Sequence, residues 1–473
     1  MGVVDFVQKD RPRTHTGSAH QTVTENIKLQ LGQKSIQIGF TEQRLSPLAG
    51  MVSLAGYLFK KRFPELLERL LPHRPTSPNA LAPRDIALSF LAGVIAGADK
   101  LTRVAHLRSD PLLPEVLQVK RVPSQATLSR FLGEFTQGNN QRCFGRFYRW
   151  TLEQLSSRSE GYTLDLDTTG LIHEDGHQEG VRAGYTKQGV KPCLHPILAV
   201  LAEAKVVAGF WLRAGNSATI NNALGFLAEL LSRLPAHIRL RLVRADSGFC
   251  ATSLLEFLEE RHLPYVVAAR LLRPIKFLIT KGLVWTETEI AGTAVAELEY
   301  QEAGWRNPRR LILIRHQVRE KRRVGGKRLI DCPGYLFQAL VTSLPQSVGP
   351  LEVWRQYNGR AGLEGVIREL RHGYGLHQFC CQNFWATEAA LSLVVMAYHL
   401  VELFERFLGW SQRYAVSSLR FHLFLCAGVI SHAGGVTTIK LAQPVRRRAW
   451  WVRLWERISS PFPNCNAVEP LGA

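Results

Sequence analysis

Apolar residues change rhythm repeatedly along the chain, and the changes divide it into predicted elements. Residues 1 to about 25 are polar and without period, and are expected to be loose. Ile27, Leu29 and Leu31, then Ile36, Ile38 and Phe40, alternate with polar residues around Gly32-Gln33-Lys34. Alternation with a glycine between the two runs predicts a β-hairpin. From Pro47 to about Leu155 the apolar residues return at helical spacing, broken at Pro64, in the Pro72 to Pro83 cluster, and at Pro111 and Pro114. Each proline lacks an amide donor and ends or kinks a helix. Ser124 is placed to cap a helix that carries Arg130 in its early turns.

Beyond Gly161 the period shortens. Tyr162 to Asp167 alternates strictly and runs into Thr168-Thr169-Gly170, predicting a strand and a turn. Further strand patterns cover Pro192 to Leu201, Val206 to Arg213, Ile238 to Ala245 and Tyr265 to Ala269. Helical spacing covers Ala218 to Leu234 and the stretch from Gly248 to about His262. Three consecutive strands, then helix, strand, helix, strand, is the order of an α/β RNase H-like core. That order should pass directly into a helix, but a β-rich stretch from Ile275 to Ser343 intervenes. Arg306 to Arg328 alone holds ten Lys and Arg against one acid. The expected organisation is an N-terminal arm with a possible β-hairpin (1–42) and a helical DNA-binding domain (43–158). The first part of the core (159–270), a β-rich basic insertion (271–346) and the last part of the core (347–408) follow. A helical C-terminal region and tail (409–473) complete it, with Phe384 to Leu408 and Ser417 to Ile430 helical and residues after about 460 disordered.

The segment Tyr357 to Arg371, YNGRAGLEGVIRELR, carries the most specific pattern. On a single helix Tyr357, Arg360, Glu364 and Arg371 share an arc of about 60°, and Leu363, Val366, Ile367 and Leu370 cluster about 100° away. One carboxylate, one phenol and two guanidiniums then face the same small volume while the opposite side is buried. Gly359, Gly362 and Gly365 disfavour an isolated helix, so tertiary packing must hold this one. Asp167 and Asp246 each end a predicted strand, and the first and fourth strands of the expected core are adjacent and parallel. The two carboxylates would therefore lie side by side, with Glu364 approaching from the last helix. Asp165 shares a strand face with Asp167, but Asp167 is preferred because it precedes the turn. Oxygen donors without a soft ligand suit Mg²⁺ or Mn²⁺.

Composition narrows the partners. The 473 residues hold 59 Lys and Arg against 39 Asp and Glu, a formal charge of +20, with a pI near 9.9. Such an excess predicts a polyanion, most simply nucleic acid. Eight cysteines contain no C-x-x-C pair, which argues against a zinc framework or a secreted disulfide scaffold. No signal peptide is expected at the start, where Lys9, Asp10, Arg11 and Arg13 interrupt the chain, and the apolar run Ala389 to Phe404 is expected to be a buried helix, not a membrane span. His173-Glu174-Asp175-Gly176-His177 spells H-E-x-x-H, yet Gly170, Gly176 and Gly180 break the helix that zinc ligation by two imidazoles requires. A loop is expected there.

The order Tyr, Arg three on, Glu four further and a basic residue seven further resembles the Tyr-Arg-Glu-Lys signature of hairpin-forming DDE transposases from bacterial insertion sequences. Arg371 stands where that signature has Lys. Leu-Asp-Leu-Asp-Thr-Thr, Leu-Arg-Ala-Gly-Asn (Leu212 to Asn216) and Arg-Ala-Asp-Ser-Gly-Phe (Arg244 to Phe249) extend the resemblance to the IS-four superfamily. It implies cut-and-paste transposition with Asp167, Asp246 and Glu364 as the triad holding two Mg²⁺ or Mn²⁺ ions. It also implies Tyr357, Arg360 and Arg371 on phosphates, and Trp285 or Trp305 stacked on a flipped base. The partners are then double-stranded DNA, namely terminal inverted repeats and target, and a second protomer in the synaptic complex. Location would be the bacterial cytoplasm, on the nucleoid. Two alternatives stay open, a metal-dependent endonuclease without strand transfer and a transposase-derived DNA-binding protein that has lost catalysis.

Overall fold

The structure, a computed structural model, describes residues 27–460 apart from 74, 76, 319–325, 330, 331 and 411. The polar N-terminal segment, the residues after 460 and part of the basic run therefore lie outside the described residues.

A ten-stranded mixed sheet organises the fold. Its strands are β1 (Tyr162–Thr168), β2 (Ile197–Leu201), β3 (Val206–Trp211), β4 (Leu240–Ala245), β5 (Tyr265–Ala269), β6 (Thr286–Glu287), β7 (Thr293–Tyr300), β8 (Arg309–Gln317), β9 (Lys327–Leu329) and β10 (Cys332–Thr342). Their order is β6-β7-β8-β10-β5-β4-β1-β2-β3, with β9 paired to β10. β4 runs parallel to both β1 and β5, while β1, β2 and β3 form an antiparallel run. The helices that matter for the site are α1 (Gln125–Gly133), α2 (Gln137–Glu153), α3 (Ala223–Arg233), α4 (Thr252–Glu260), α5 (Arg273–Thr280), α6 (Pro350–Asn358), α7 (Ala361–Arg368) and α8 (Phe384–Leu408).

Side chains alternate between the two faces of a strand. On β1, Leu164 and Leu166 join a core with Val243, Ala245 and Tyr265 that α3 and α4 cover through Phe226, Leu254 and Leu258. Asp165 and Asp167 consequently fall on the opposite face. That face is closed by α8 over β2 and β3, and by Val353 of α6 against Leu242, Val266, Ile312 and Leu340. Burial on both faces explains why β5 reads as an unbroken apolar run.

Several expectations change. The basic β-rich stretch joins the central sheet, since β10 pairs with β5 from Val266↔Thr342 to Ala269↔Ala339. That stretch also opens with helix α5, where Ile275 and Ile279 are buried one turn apart. The predicted strand Pro192 to Leu201 is interrupted at His195-Pro196, so Gly189–Leu194 belongs to a small three-stranded sheet. The predicted helix Ser417 to Ile430 stops at Phe424, and Gly428–Ala433 and Val436–Leu441 form a hairpin instead. Gly434 and Gly435, at φ 56° and 76°, make its two-residue turn, a glycine pair that favours hairpins. The first of these strands also pairs with Leu45–Ser46 near the other end of the chain. The N-terminal hairpin is present as Ile27–Leu31 and Lys34–Ile38, exposed throughout.

Helix α8 is the hub of the N-terminal side. Asn383 caps it by accepting from Trp385 N and Ala386 N, and Gly409 ends it in the left-handed region at φ 78°. By length and composition alone α8 could cross a membrane, and 89% of its most apolar window is buried inside this fold. It also buries His399, whose Nε2 accepts from Val207 N at 3.0 Å. Burial lowers the His399 pKa from 6.5 to about 3.

This histidine has a measurable consequence. The unfolded chain binds a proton below pH 6.5 that the folded chain refuses until about pH 3, so His399 removes stability as pH falls through that window. Glu388 and Glu405, raised by burial to about 7, act with the opposite sign between 4.5 and 7. A His399→Gln variant keeps an acceptor for Val207 N but does not titrate. Denaturant unfolding of both proteins from pH 4 to 8 should show less acid destabilisation in the variant, and equal slopes would refute the assignment.

Candidate active site

The first two acids are set by strand ends. Asp167 sits near the end of β1, where its Oδ1 accepts from Thr168 N at 2.8 Å. Asp246 follows β4 directly and turns the chain, its Oδ1 accepting from Gly248 N at 3.0 Å. Because β1 and β4 are parallel neighbours, paired Arg244↔Asp165 and Ala245↔Leu166, both carboxyls reach the same edge of the sheet. The turn after Asp246 is packed tightly, since a Cβ at Gly248 would stand 2.7 Å from Thr219 Oγ1.

The third element departs from the single helix expected over Tyr357 to Arg371. α6 ends at Asn358 and α7 starts at Ala361. The junction is tightened by i→i+3 bonds, Arg360 N to Tyr357 O and Leu363 N to Arg360 O. Backbone torsions at Gly359 and Arg360 stay right-handed, so the chain keeps its direction. Leu363, Val366 and Leu370 are buried as the pattern required. A π-helical turn over Glu369–Gly373 then carries Arg371 off the regular progression.

The short segment nevertheless brings Tyr357, Arg360 and Glu364 into the field of the two sheet acids. Arg360 bridges, with Nη2 at 3.0 Å from Asp167 Oδ2 and at 3.1 Å from Leu166 O. Burial pushes the Asp167 carboxyl above its ordinary value, Arg360 pulls it back, and the negative charges of Asp246 and Glu364 push it up again. Burial likewise raises the Tyr357 phenol, against the pull of Arg360 and with the push of Asp246, Asp167 and Glu364. Burial disfavours the Arg360 cation, but Asp167, Tyr357 and Asp246 more than compensate and its pKa rises. Asp167 therefore senses Asp246, Glu364 and the Arg360 guanidinium at once.

Their donor chemistry fits a hard divalent cation, since every donor is an oxygen and mutual repulsion favours a cation among them. The spacing is open, however. Among the described residues no three Asp, Glu, His or Cys side chains form a closed ligand group. Glu364 is exposed on α7, and Arg360 occupies the inner side of Asp167.

Other expected site residues lie elsewhere. Arg371 stands beside His377, whose Nδ1 faces Arg371 O at 2.9 Å. Trp305 is only 7% exposed, packed edge-on to Tyr300 with Arg309 over its ring. It packs in the core. Trp285 is half-buried against Phe337 under the Arg315 guanidinium. It precedes β6, the outermost strand, and its ring lies against β10. Arg130 is exposed on α1, whose cap is formed as expected by Thr127 N donating to Ser124 Oγ. The H-E-x-x-H residues occupy a loop between two short strands.

Two residues of the site were not singled out from sequence. His195 is half-buried and within the field of Asp246, and burial lowers its pKa. Arg213, 4% exposed, donates to His195 O through Nε and faces the carbonyls of Ala218, Thr219 and Asn221 through Nη1. It fastens the loop that backs Asp246. The phrase Leu-Arg-Ala-Gly-Asn contained it as a resemblance, without a physical role.

Fold and site together define a mixed α/β protein that gathers carboxylates and one arginine at the edge of a central sheet. The model of the family Transposase DDE domain group 1 matches residues 28–461. The chain belongs to that family and is a DDE transposase, an enzyme that cuts and joins DNA strands and depends on divalent metal. Among solved structures it is similar to a piggyBac transposase synaptic complex with hairpin DNA, determined by cryo-electron microscopy, at 11% identity over 90% of each chain and a TM-score of 0.41. No match is found among curated protein sequences.

Proposed function

We propose that the chain is the transposase of a bacterial insertion sequence of the IS-four superfamily, moving its element by cut-and-paste from an RNase H-like core. The observation that carries this reading is the convergence of Asp167 and Asp246, from adjacent parallel strands, with the Tyr357 to Glu364 segment bridged by Arg360. The strand order β3-β2-β1-β4-β5 supports the core assignment.

In this reading Asp167, Asp246 and Glu364 hold two Mg²⁺ or Mn²⁺ ions. Bound there, the ions supply activation of the attacking water or 3′-hydroxyl and stabilisation of the leaving oxygen. The chain's own work is positioning. Arg360 exchanges its contact with Asp167 for a phosphate oxygen of the DNA, a bidentate partner suited to its planar fork. Tyr357, kept neutral by burial and by the surrounding acids, donates a hydrogen bond to the same backbone. Arg371 and Arg130 contact phosphates farther along, Arg130 from the helical DNA-binding region. Trp285 remains the aromatic candidate for stacking on a displaced base. Two ends held together require two protomers in the active complex.

Pre-cleaved element ends, a target plasmid and Mg²⁺ test the proposal. Joined product is expected. Cleavage of intact ends without any joined product would favour an endonuclease, and end binding with neither activity a derived DNA-binding protein.

A further inference from the structure

Behind the acids lies an ion pair that belongs to neither the metal-binding triad nor the phosphate contacts. Asp165 precedes Asp167 by two residues on β1, and Arg244 precedes Asp246 by two on β4. The parallel register sets them directly opposite each other. Their side chains are 0% and 7% exposed. Arg244 grips both carboxylate oxygens, Nε to Oδ1 at 2.6 Å and Nη2 to Oδ2 at 2.8 Å. Its remaining nitrogen, Nη1, leaves the sheet and donates to Gln356 O in the last turn of α6. Space for that reach comes from Gly359, where an added Cβ would lie 2.4 Å from Arg244 Nη1.

Residues two apart on a strand share a face. A pair fixed at Asp165 and Arg244 therefore fixes the relative height of Asp167 and Asp246 one step along. A buried guanidinium needs its counter-charge and has no freedom to swing once bidentate. Its third bond consequently gauges how far the end of α6 stands from the sheet, one residue before Tyr357 and four before Arg360. A pair serving stability alone could end at Asp165. This one continues to a helix carbonyl through a gap that only a glycine leaves.

We infer that Asp165, Arg244 and Gly359 form a strut that sets the separation between the two sheet acids and the Tyr357 to Glu364 segment. The inference rests on the three-acid reading of the site. All three are positioning residues, acting through Asp167, Asp246 and the Tyr357 to Glu364 segment.

The test is a double-mutant cycle of Gly359→Ala and Arg244→Lys, in which the shorter lysine head relieves the collision with an alanine methyl. Mn²⁺ binding to the full-length protein, read by electron paramagnetic resonance, is measured with thermal unfolding and with joining of pre-cleaved ends. Gly359→Ala alone should weaken Mn²⁺ binding and joining by about tenfold or more, the range typical when a residue supporting metal ligands is lost. In the Arg244→Lys background the same alanine should cost no more than about twofold, a coupling expected only of residues in contact. Additive losses, or unchanged Mn²⁺ affinity with reduced thermal stability, would overturn the strut. A wild-type protein that binds no Mn²⁺ would overturn the three-acid reading itself, whereas additive variants of a Mn²⁺-binding wild type would remove the strut alone.

Discussion

Asp246→Asn is expected to abolish cleavage and joining while binding to the element's ends survives. Asparagine has nearly the volume of aspartate, and its carbonyl can still accept from Gly248 N, which holds the turn after β4. What disappears is one of the negative charges whose push raises the Asp167 carboxyl and the Tyr357 phenol. In the proposed three-acid site that charge is a metal ligand's, and its loss is expected to remove several kcal/mol of transition-state stabilisation. At about 1.4 kcal/mol per tenfold, the rate should fall by about 10³-fold or more. Binding rests instead on basic surface, so a gel shift with end DNA should be nearly unchanged. A variant that joins ends within tenfold of wild type would remove Asp246 from the triad.

The second large effect concerns stability. Arg213→Ala deletes a buried cation whose partners are the carbonyl of His195, just before β2, and carbonyls of the loop from Ala218 to Asn221. Burial lowers its pKa to about 10, which leaves it charged at neutral pH. Hydrogen bonds to a charged group contribute about 1.5–3 kcal/mol each, and carbonyls left buried without a donor add a further penalty. The variant should lose about 3 kcal/mol or more in urea unfolding. Lysine should not rescue it, because one ammonium cannot serve carbonyls on both sides of the planar fork. Catalysis should fall along with stability, since Thr219 in that loop packs against Gly248 beside Asp246. A loss below about 1 kcal/mol would show that the loop holds itself.

The parts of this molecule legible in sequence are those where local pattern and tertiary role agree. Strict alternation at Tyr162 to Asp167 and the apolar run at Tyr265 to Ala269 announced strands, and Leu363, Val366 and Leu370 announced a buried helix side. The hairpin at Gly428–Leu441 carried its own signal in Gly434-Gly435, but helical spacing upstream overrode it. The break between α6 and α7 was written in Gly359 and Gly362, yet only a helix wheel drawn without interruption places Arg371 beside Glu364. Trp305 illustrates a different limit. A tryptophan in a basic stretch reads the same whether it faces solvent or, as here, Tyr300. The role of Arg244 needed the β1–β4 register, which depends on partners seventy-nine positions apart. No local period encodes that.

The union of the basic strands with the central sheet has a mechanical implication. With β5 hydrogen-bonded to β10, and β10 to β8, no hinge interrupts the ladder between the outer strands and the carboxylates. A duplex pressing on the outer rim would therefore load the carboxylate-bearing strands directly, through an unbroken ladder of backbone hydrogen bonds.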